Sequence, residues 1–348
     1  MLAICIVPRL PPAIDGVGDY ALSLARQLRL DFGIEMHFIV GDPTWAGATE
    51  IEGFPIDKVE LRSAASLLSL LLSCCQNSTI VLLHYVGHGY AKKGCPFWLI
   101  KGLEHWKNVA NVPLLTMFHE LYAVGPRWTS DFWLSPLQKD LAARLARLSD
   151  RCVTNRQGYA KALYELSRGK HTQITTLPVL SNMGETETVM PLSERDRRLV
   201  VFGQGKSKLR VYRESLAELS RACEVLEIEE IWDIGPSTGL DLSSVIKMPI
   251  VELGQKSVPE ISDILSKSLA GFLNYNVDHL AKSGIFAAYC AHGLLPISYR
   301  SSTLPVDGIE GRIHYWIPDS QGIILNPVEE LQAIADNAHT WYQTHGLY

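Results

Sequence analysis

The chain has 348 residues, too many for one ordinary hydrophobic core and suited to two domains of roughly 170 residues each. Hydrophobic content of 47% and charged content of 20% exclude a disordered or fibrous chain and describe a globular protein with ample core material. A formal net charge of -5 disfavours a nucleic-acid binder, which shows a basic face.

The first half alternates strand and helix signals. A short apolar strand is predicted over 3–7. Pro11, Pro12, Gly16 and Gly18 make a loop, and Leu22, Ala25 and Leu28 fall at helical spacing over 19–30. A strand over 36–40 ends in Gly41-Asp42-Pro43. Residues 64–75 form the longest apolar stretch, about half of the roughly 20 residues a membrane span needs. Ser66, Ser69 and Ser73 give it one small polar stripe and predict a buried helix. Strands over 80–83 and 113–118, a helix over 137–148, a strand over 151–154 and a helix over 157–166 follow. Such alternation implies a mainly parallel sheet with helices on both faces.

A polar segment over 181–198, with Gly184, Pro191 and a mixed charge run, predicts an interdomain linker. A second α/β series then begins, with strands over 199–202, 230–234, 250–253, 269–273, 295–299 and 322–325 and helices between them, for example over 258–268. The last helix runs from 327 to about 345 and carries Trp341 and Tyr342. The expected plan is a first Rossmann-like domain over 1–180, the linker, a second over 199–326, and a C-terminal helix over 327–348 able to cross back to the first.

Seven cysteines are odd in number, include the adjacent Cys74 and Cys75, and contain no C-x-x-C. They read as reduced, cytosolic, mostly buried thiols. The opening MLAICIVPRL has no basic leader before a long apolar core, so no signal peptide is expected.

Five places carry chemistry. Gly16-Val17-Gly18 opens a helix after the first strand, where glycines admit a ligand and the helix N-terminus favours an anion. The full G-x-G-x-x-G is missing and no acidic residue convincingly ends the second strand, which disfavours an NAD enzyme. His119 and Glu120 end the strand PLLTMF, at the strand end where sheet enzymes bind ligands; Ala123 excludes an HE-x-x-H zinc motif. His84, Tyr85 and His88 follow IVLL and could line the same cleft; with no carboxylate close in sequence, a metal there is disfavoured.

Gly203-Gln204-Gly205 follows the strand LVVF, with Lys206, Lys208 and Arg210 directly after it. Such cations on a glycine loop can stabilise a leaving diphosphate without a metal. Lys282-Ser283-Gly284 precede a helix over 285–292 and offer a second phosphate cradle, with Ala287, Ala288, Ala291 and Gly293 permitting close packing. No Asp-x-Asp occurs. Residues 91–109 carry Lys92, Lys93, Lys101 and Lys107 beside Phe97, Trp98, Leu99 and Trp106; this suits a membrane-surface or acceptor-facing helix or an ordinary surface helix.

The order of these motifs resembles the two-domain GT-B glycosyltransferases, particularly the large retaining family four. DGVGDYALSLARQL looks like that family's glycine loop and helix, PLLTMFHE like its strand ending in His plus an acid. CVTNRQGYAKAL and LPVLSNM look like the end of its first domain and the crossing segment. VVFGQGKSKLR sits where its donor-phosphate basic residues sit, and FAAYCAHGLLPI matches its EAMACGxPVI-like signature. The resemblance covers nearly the whole chain, through degenerate motifs. The family carries two glutamates eight positions apart; aligned on Gly293, these fall on Leu280, facing the donor sugar, and Ala288, on the ribose. Neither is acidic, which leaves Asn276, Asp278 or Lys282 to substitute.

The resemblance implies two Rossmann-like domains facing each other across a cleft. It implies metal-independent, retaining transfer of a sugar from a nucleoside-diphosphate donor to an acceptor hydroxyl. Gly16, Gly18, Gly205, Lys206, Lys208, Arg210, Lys282, Ser283 and Gly284 would bind the donor phosphates. His119 would contact the reacting sugar, and His84, Tyr85, His88 and Glu120 would lie on the acceptor side. No cofactor beyond the nucleotide-sugar co-substrate is expected. The expected acceptor is a small molecule, glycan or lipid-linked sugar, at a cytoplasmic location that leaves the inner membrane face open. The alternatives are a non-catalytic nucleotide- or sugar-binding protein of the same fold and a sugar-nucleotide epimerase.

Overall fold

The computed structural model describes residues 1–13, 15–74, 80–123, 125, 128–186, 188–242, 248–318 and 327–346. The chain divides into two compact units, Met1–Leu177 and Pro178–Tyr348.

The first unit runs β1 (Leu2–Val7), α1 (Gly16–Phe32), β2 (Glu35–Val40), β3 (Glu50–Ile51), β4 (Phe54–Lys58), α2 (Ala64–Cys74), β5 (Ile80–Tyr85), α3 (Gly87–Tyr90), α4 (Phe97–Lys107), β6 (Leu114–Phe118), α5 (Ser130–Leu148), β7 (Arg151–Thr154), α6 (Gln157–Leu166) and β8 (Thr175–Thr176). Its sheet has the order β3-β4-β2-β1-β5-β6-β7-β8. Every pairing is parallel except the β3–β4 hairpin, whose turn residues Glu52 and Gly53 both have positive φ. Strands covered by helices on both faces must be apolar throughout, and LAICIV is, with five of its six residues buried.

The second unit runs β9 (Asp196–Phe202), α7 (Gly205–Glu214), α8 (Leu216–Val225), β10 (Glu230–Ile234), β11 (Ile250–Gly254), α9 (Val258–Lys267), β12 (Ser268–Leu273), α10 (Gly284–Ala291), β13 (Leu295–Ser298) and α11 (Pro327–Gln343). Its all-parallel sheet has the order β11-β10-β9-β12-β13. The strand predicted over 322–325 lies outside the described residues.

Several expectations change. The helix over 64–75 is not buried all round: α2 buries Leu67 and Leu71 while Ser69, Leu72 and Ser73 face solvent. The described residues of 181–198 belong to the second unit and are hydrogen-bonded to it. The Ser181 N–H donates to Tyr342 Oη at 2.9 Å, and the Leu192 N–H to Gln332 Oε1 at 2.7 Å. Arg195 is only 5% exposed and donates to the carbonyls of Met190, Leu265, Ser268 and His292. The polar run is therefore tied to the second unit at three buried residues, Ser181, Leu192 and Arg195, with most of the residues between them half-buried or exposed. α11 packs on α10 and β13 of its own unit, with His339 Nδ1 2.9 Å from Cys290 O. The basic aromatic segment is α4, whose Leu99, Leu103 and Trp106 sit in the core, so its apolar side covers the sheet and not a membrane. Among the described residues, no helix is long and apolar enough to cross a membrane.

Candidate functional site

Both sheets reverse their direction of winding once, and ligands of open parallel sheets bind beyond the carboxyl ends of the strands at that point. In the first unit the reversal falls between β1 and β5; in the second, between β9 and β12. Most of the residues singled out from sequence lie at the ends of these strands or on the helices that follow them.

In the first unit, His84 lies one residue before the end of β5 and His119 directly after β6. His84 Nδ1 is 2.9 Å from His119 Nε2, and the rings stack with centroids 5.3 Å apart. Tyr20 of α1 packs edge-on against both, at 5.7 and 5.2 Å. The His119 N–H donates to Tyr85 O at 3.0 Å, and Asn155 Nδ2, just after β7, donates to His119 O at 3.3 Å. Three strand ends thus hold His119 in place. His84 is fully buried, and its Nε2 has no partner among the described residues. A buried bare nitrogen lone pair is less costly than a buried orphan N–H, so the proton belongs on His84 Nδ1, which donates to His119 Nε2.

Burial pushes the His84 pKa down from 6.5 to about 3. Below the unfolded value only the unfolded chain takes up the proton, so this contribution to stability is complete above pH 6.5 and is lost as pH falls towards the folded value. We predict that lowering the pH from about 7 to about 5 costs the first unit roughly 2 kcal/mol through His84 alone. Denaturation of the wild type and of His84→Asn across that range measures the effect, and the variant should lack this increment. His292 of the second unit, pushed down to about 4 by burial, acts in the same direction there.

The other first-unit candidates fare differently. Tyr85 is buried on the opposite face of β5 against Phe118, so it belongs to the core and not to an acceptor surface. His88 is exposed and Glu120 half-buried. The phosphate role foreseen for Gly16 and Gly18 meets Asp15, the α1 N-cap, whose carboxylate accepts from Val17 N and Gly18 N at 3.0 and 3.1 Å. That carboxylate occupies the helix start an anion would need. Asp19 in the first turn adds another; its pKa is raised to about 6 by burial and by the charge of Asp15. Gly18 is explained by chain packing, because a Cβ there would lie 2.1 Å from Arg9 O. Gly18→Ala should destabilise the first unit by about 1–3 kcal/mol. Gly16→Ala, with nothing within 4 Å of the added carbon, should stay within roughly 0.5 kcal/mol of the wild type; denaturant midpoints compare the two.

In the second unit, Gly203 has φ +136 and lies against Ile285 of α10, the added Cβ falling 2.7 Å from Ile285 Cδ1. The β9 loop and the start of α10 therefore touch. Lys206, Lys208 and Arg210 do not lie on a loop, as expected from sequence, but on the first turns of α7. Residues four apart share a helix face, so Lys206 and Arg210 are exposed together while Lys208 points inward. Lys208 is fully buried: its Nζ donates to Asp233 Oδ1 and, at 3.2 Å, to Gly235 O. Tyr212 Oη donates to the other oxygen of Asp233 at 2.8 Å. Lys208 is thereby removed from the set of phosphate-binding cations.

The N-cap of α7, Gln204, makes no side-chain cap, unlike Asp15 on α1. The first N–H groups of a helix have no intrahelical partner, and here no side chain takes them; the carbonyls of Ser237 and Pro236 lie beside Gly205, 3.2 and 3.7 Å from where its Cβ would be. Across the switch point, Ser283 caps α10 by accepting from Phe286 N at 3.2 Å, Gly284 is exposed, and Lys282 is half-buried. Leu280 and Ala288, where the family carries acids, are both core residues. Of the proposed substitutes, Asn276 Oδ1 accepts from Asp278 N at 3.1 Å and Asp278 Oδ1 accepts from Ser302 Oγ at 2.7 Å. Sequence inspection missed Asp15, Tyr20, Asn155 and Asp233. An Asp before a glycine-led helix signals the N-cap, and an acid inside the apolar strand EIWDI signals a buried partner.

No family model matches the chain, and no curated protein matches it. Solved structures do. The pneumococcal O-GlcNAc transferase GtfA, solved with UDP and GlcNAc, is 10% identical with a TM-score of 0.62, over 100% of this chain and 96% of its own. An alpha-glucosyltransferase solved with UDP and a DNA 13-mer is 10% identical with a TM-score of 0.58, over 99% of this chain and 95% of its own. The lipopolysaccharide outer core galactosyltransferase WaaB is 13% identical with a TM-score of 0.56, over 99% and 96%. The chain has the fold of these GT-B glycosyltransferases: two α/β units, each on a mainly or wholly parallel sheet.

Proposed function

We propose that the protein is a glycosyltransferase that moves a sugar from a nucleoside-diphosphate donor to an acceptor hydroxyl. One observation carries this reading: the uncapped N-terminus of α7 at the second unit's switch point, with Lys206 and Arg210 on its exposed face. Backbone N–H groups at a helix start and two cations on one helix face suit a pyrophosphate, and they would stabilise the charge that develops as the diphosphate leaves. Gly205, Lys282 and Gly284 complete this donor side. UDP is the reference nucleotide, because two of the similar structures hold it.

In this reading the positive charge comes from Lys206, Arg210, Lys282 and the helix N-terminus, so transfer needs no metal, and the absence of an Asp-x-Asp motif agrees. The first unit contributes the His84–His119 pair, with His119 as its reacting-site group and His88 and Glu120 nearer solvent on the acceptor side. Retention of anomeric configuration follows from the family resemblance. Incubation with a panel of nucleoside-diphosphate sugars and candidate glycan or lipid-linked acceptors, with products identified by mass spectrometry and NMR, tests the reading. A glycosylated acceptor or slow donor hydrolysis supports it. Isomerised donor would instead reveal an epimerase, and binding without turnover a non-catalytic protein.

A further inference from the structure

The first unit carries a second constellation of chemistry-bearing side chains, on β2, β4 and α2, away from the β5 and β6 ends. Asp57 of β4 pairs in register with Ile39 of β2, so His37, two residues earlier, projects from the same face of the sheet. α2 covers that face through Leu67 and Leu71 and ends at Cys74. His37 Nε2 is 2.9 Å from Asp57 Oδ2, Cys74 Sγ is 3.5 Å from the same oxygen, and Cys74 Sγ is 4.0 Å from His37 Nε2. One nitrogen, one oxygen and one sulfur ligand atom thus converge on a single point, from three elements far apart in sequence.

We propose that His37, Asp57 and Cys74 form a mononuclear site for a borderline-soft divalent transition metal of the zinc class, with water as the fourth ligand. Metal–ligand bonds of about 2.0–2.3 Å at tetrahedral angles set ligand atoms roughly 3.3–3.6 Å apart, and the observed separations bracket that range. Mixed nitrogen, oxygen and sulfur donors select zinc or cobalt over calcium or magnesium, which take oxygen alone. Charge balances: a thiolate and a carboxylate neutralise the ion, imidazole binds through Nε2 with its proton on Nδ1, and the thiol proton leaves to solvent. His37 and Asp57 side chains keep 20% and 48% of their exposure, so solvent reaches the site and an ion can enter.

A nucleophilic cysteine fits the same atoms poorly. An activating histidine must sit on the sulfur, whereas here the carboxylate lies between thiol and imidazole and disfavours a thiolate. A bound ion reverses that effect and ties the end of α2 to two strands near the sheet's edge. Among the described residues, this is the one group of three such side chains whose ligand atoms all lie within 4.8 Å of one another.

Cobalt(II) titration of the chelator-treated full chain, followed by absorption, tests the site. One equivalent should produce a thiolate-to-cobalt charge-transfer band with the intense visible absorption of tetrahedral cobalt, both abolished by zinc. Cys74→Ser should remove the charge-transfer band, while Cys75→Ser and Cys95→Ser retain it. His37→Gln should weaken binding by at least ~10-fold, the loss that even an outer partner of a metal site produces. No band in the wild type, a band that survives Cys74→Ser or vanishes in Cys75→Ser, or unchanged affinity in His37→Gln each overturns the proposal. Because the wild-type spectrum alone can fail, the test does not depend on any variant folding.

Discussion

Lys208→Ala is expected to destabilise the second unit by about 3–5 kcal/mol, although the side chain is a charged group on a basic helix. Lys208 and Asp233 are both essentially excluded from water, and Asp233 also accepts from Tyr212. Truncating the lysine strands a carboxylate in the core with only a phenol for company, and an uncompensated buried charge is the costly case. Replacing both partners, as Lys208→Met with Asp233→Leu, should recover most of the loss, since an apolar pair of similar volume replaces a buried ion pair at little cost. Hydrogen exchange of peptides spanning α7 and β10 reads the effect locally, which suits a two-unit chain whose global unfolding need not be two-state. Stability within about 0.5 kcal/mol of the wild type, the range of an ordinary surface change, would contradict the burial of the pair. Lys206→Ala, on the exposed face, should show that near-neutral behaviour.

His119→Asn should lower turnover of a competent donor–acceptor pair by roughly 100-fold or more, the lower end of what a positioned proton-transfer group contributes. The backbone of His119 is held by Tyr85 and Asn155 and its ring by His84 and Tyr20, so the imidazole is fixed before any ligand arrives. Preorganisation of this kind is what makes a polar group effective in a reaction. His84→Asn, which acts on the reaction through the ring orientation of His119, should cost less, about 10-fold, and should act mainly on kcat. Wild-type turnover in His119→Asn would remove the pair from the reaction.

The strand sequence was legible because parallel strands covered on both faces are continuous apolar runs, and LAICIV, IVLL, LVVF and LAGFL all qualify. The β3–β4 hairpin escaped because its strands are short and its Glu-Gly turn lacks the Asn-Gly or Asp-Gly signal. The proline signal predicts a helix only over 137–148, yet α5 runs through Pro136 from Ser130. The basic cluster after β9 was visible, but its division was not: which lysine turns inward depends on where α7 begins and on Asp233, 25 residues further along. Similarly, Gly18 carries the same symbol whether it opens space for a phosphate or for Arg9 O, and only three-dimensional packing separates the two. The His84–His119 contact joins residues 35 apart through the β5–β6 pairing, and Tyr20 joins them through α1, so no local pattern could announce it.

Equilibrium titration with UDP, UDP-sugars and uridine by calorimetry tests the donor site most directly, on the wild type and on Lys206→Ala with Arg210→Ala. The account predicts that the diphosphates bind and uridine binds far more weakly. The paired replacement should weaken UDP by at least ~10-fold, two lost charge-assisted hydrogen bonds, while thermal stability stays unchanged. Equal affinity in wild type and variant, or no binding of any nucleoside diphosphate tried in UDP's place, would contradict a pyrophosphate site at the start of α7.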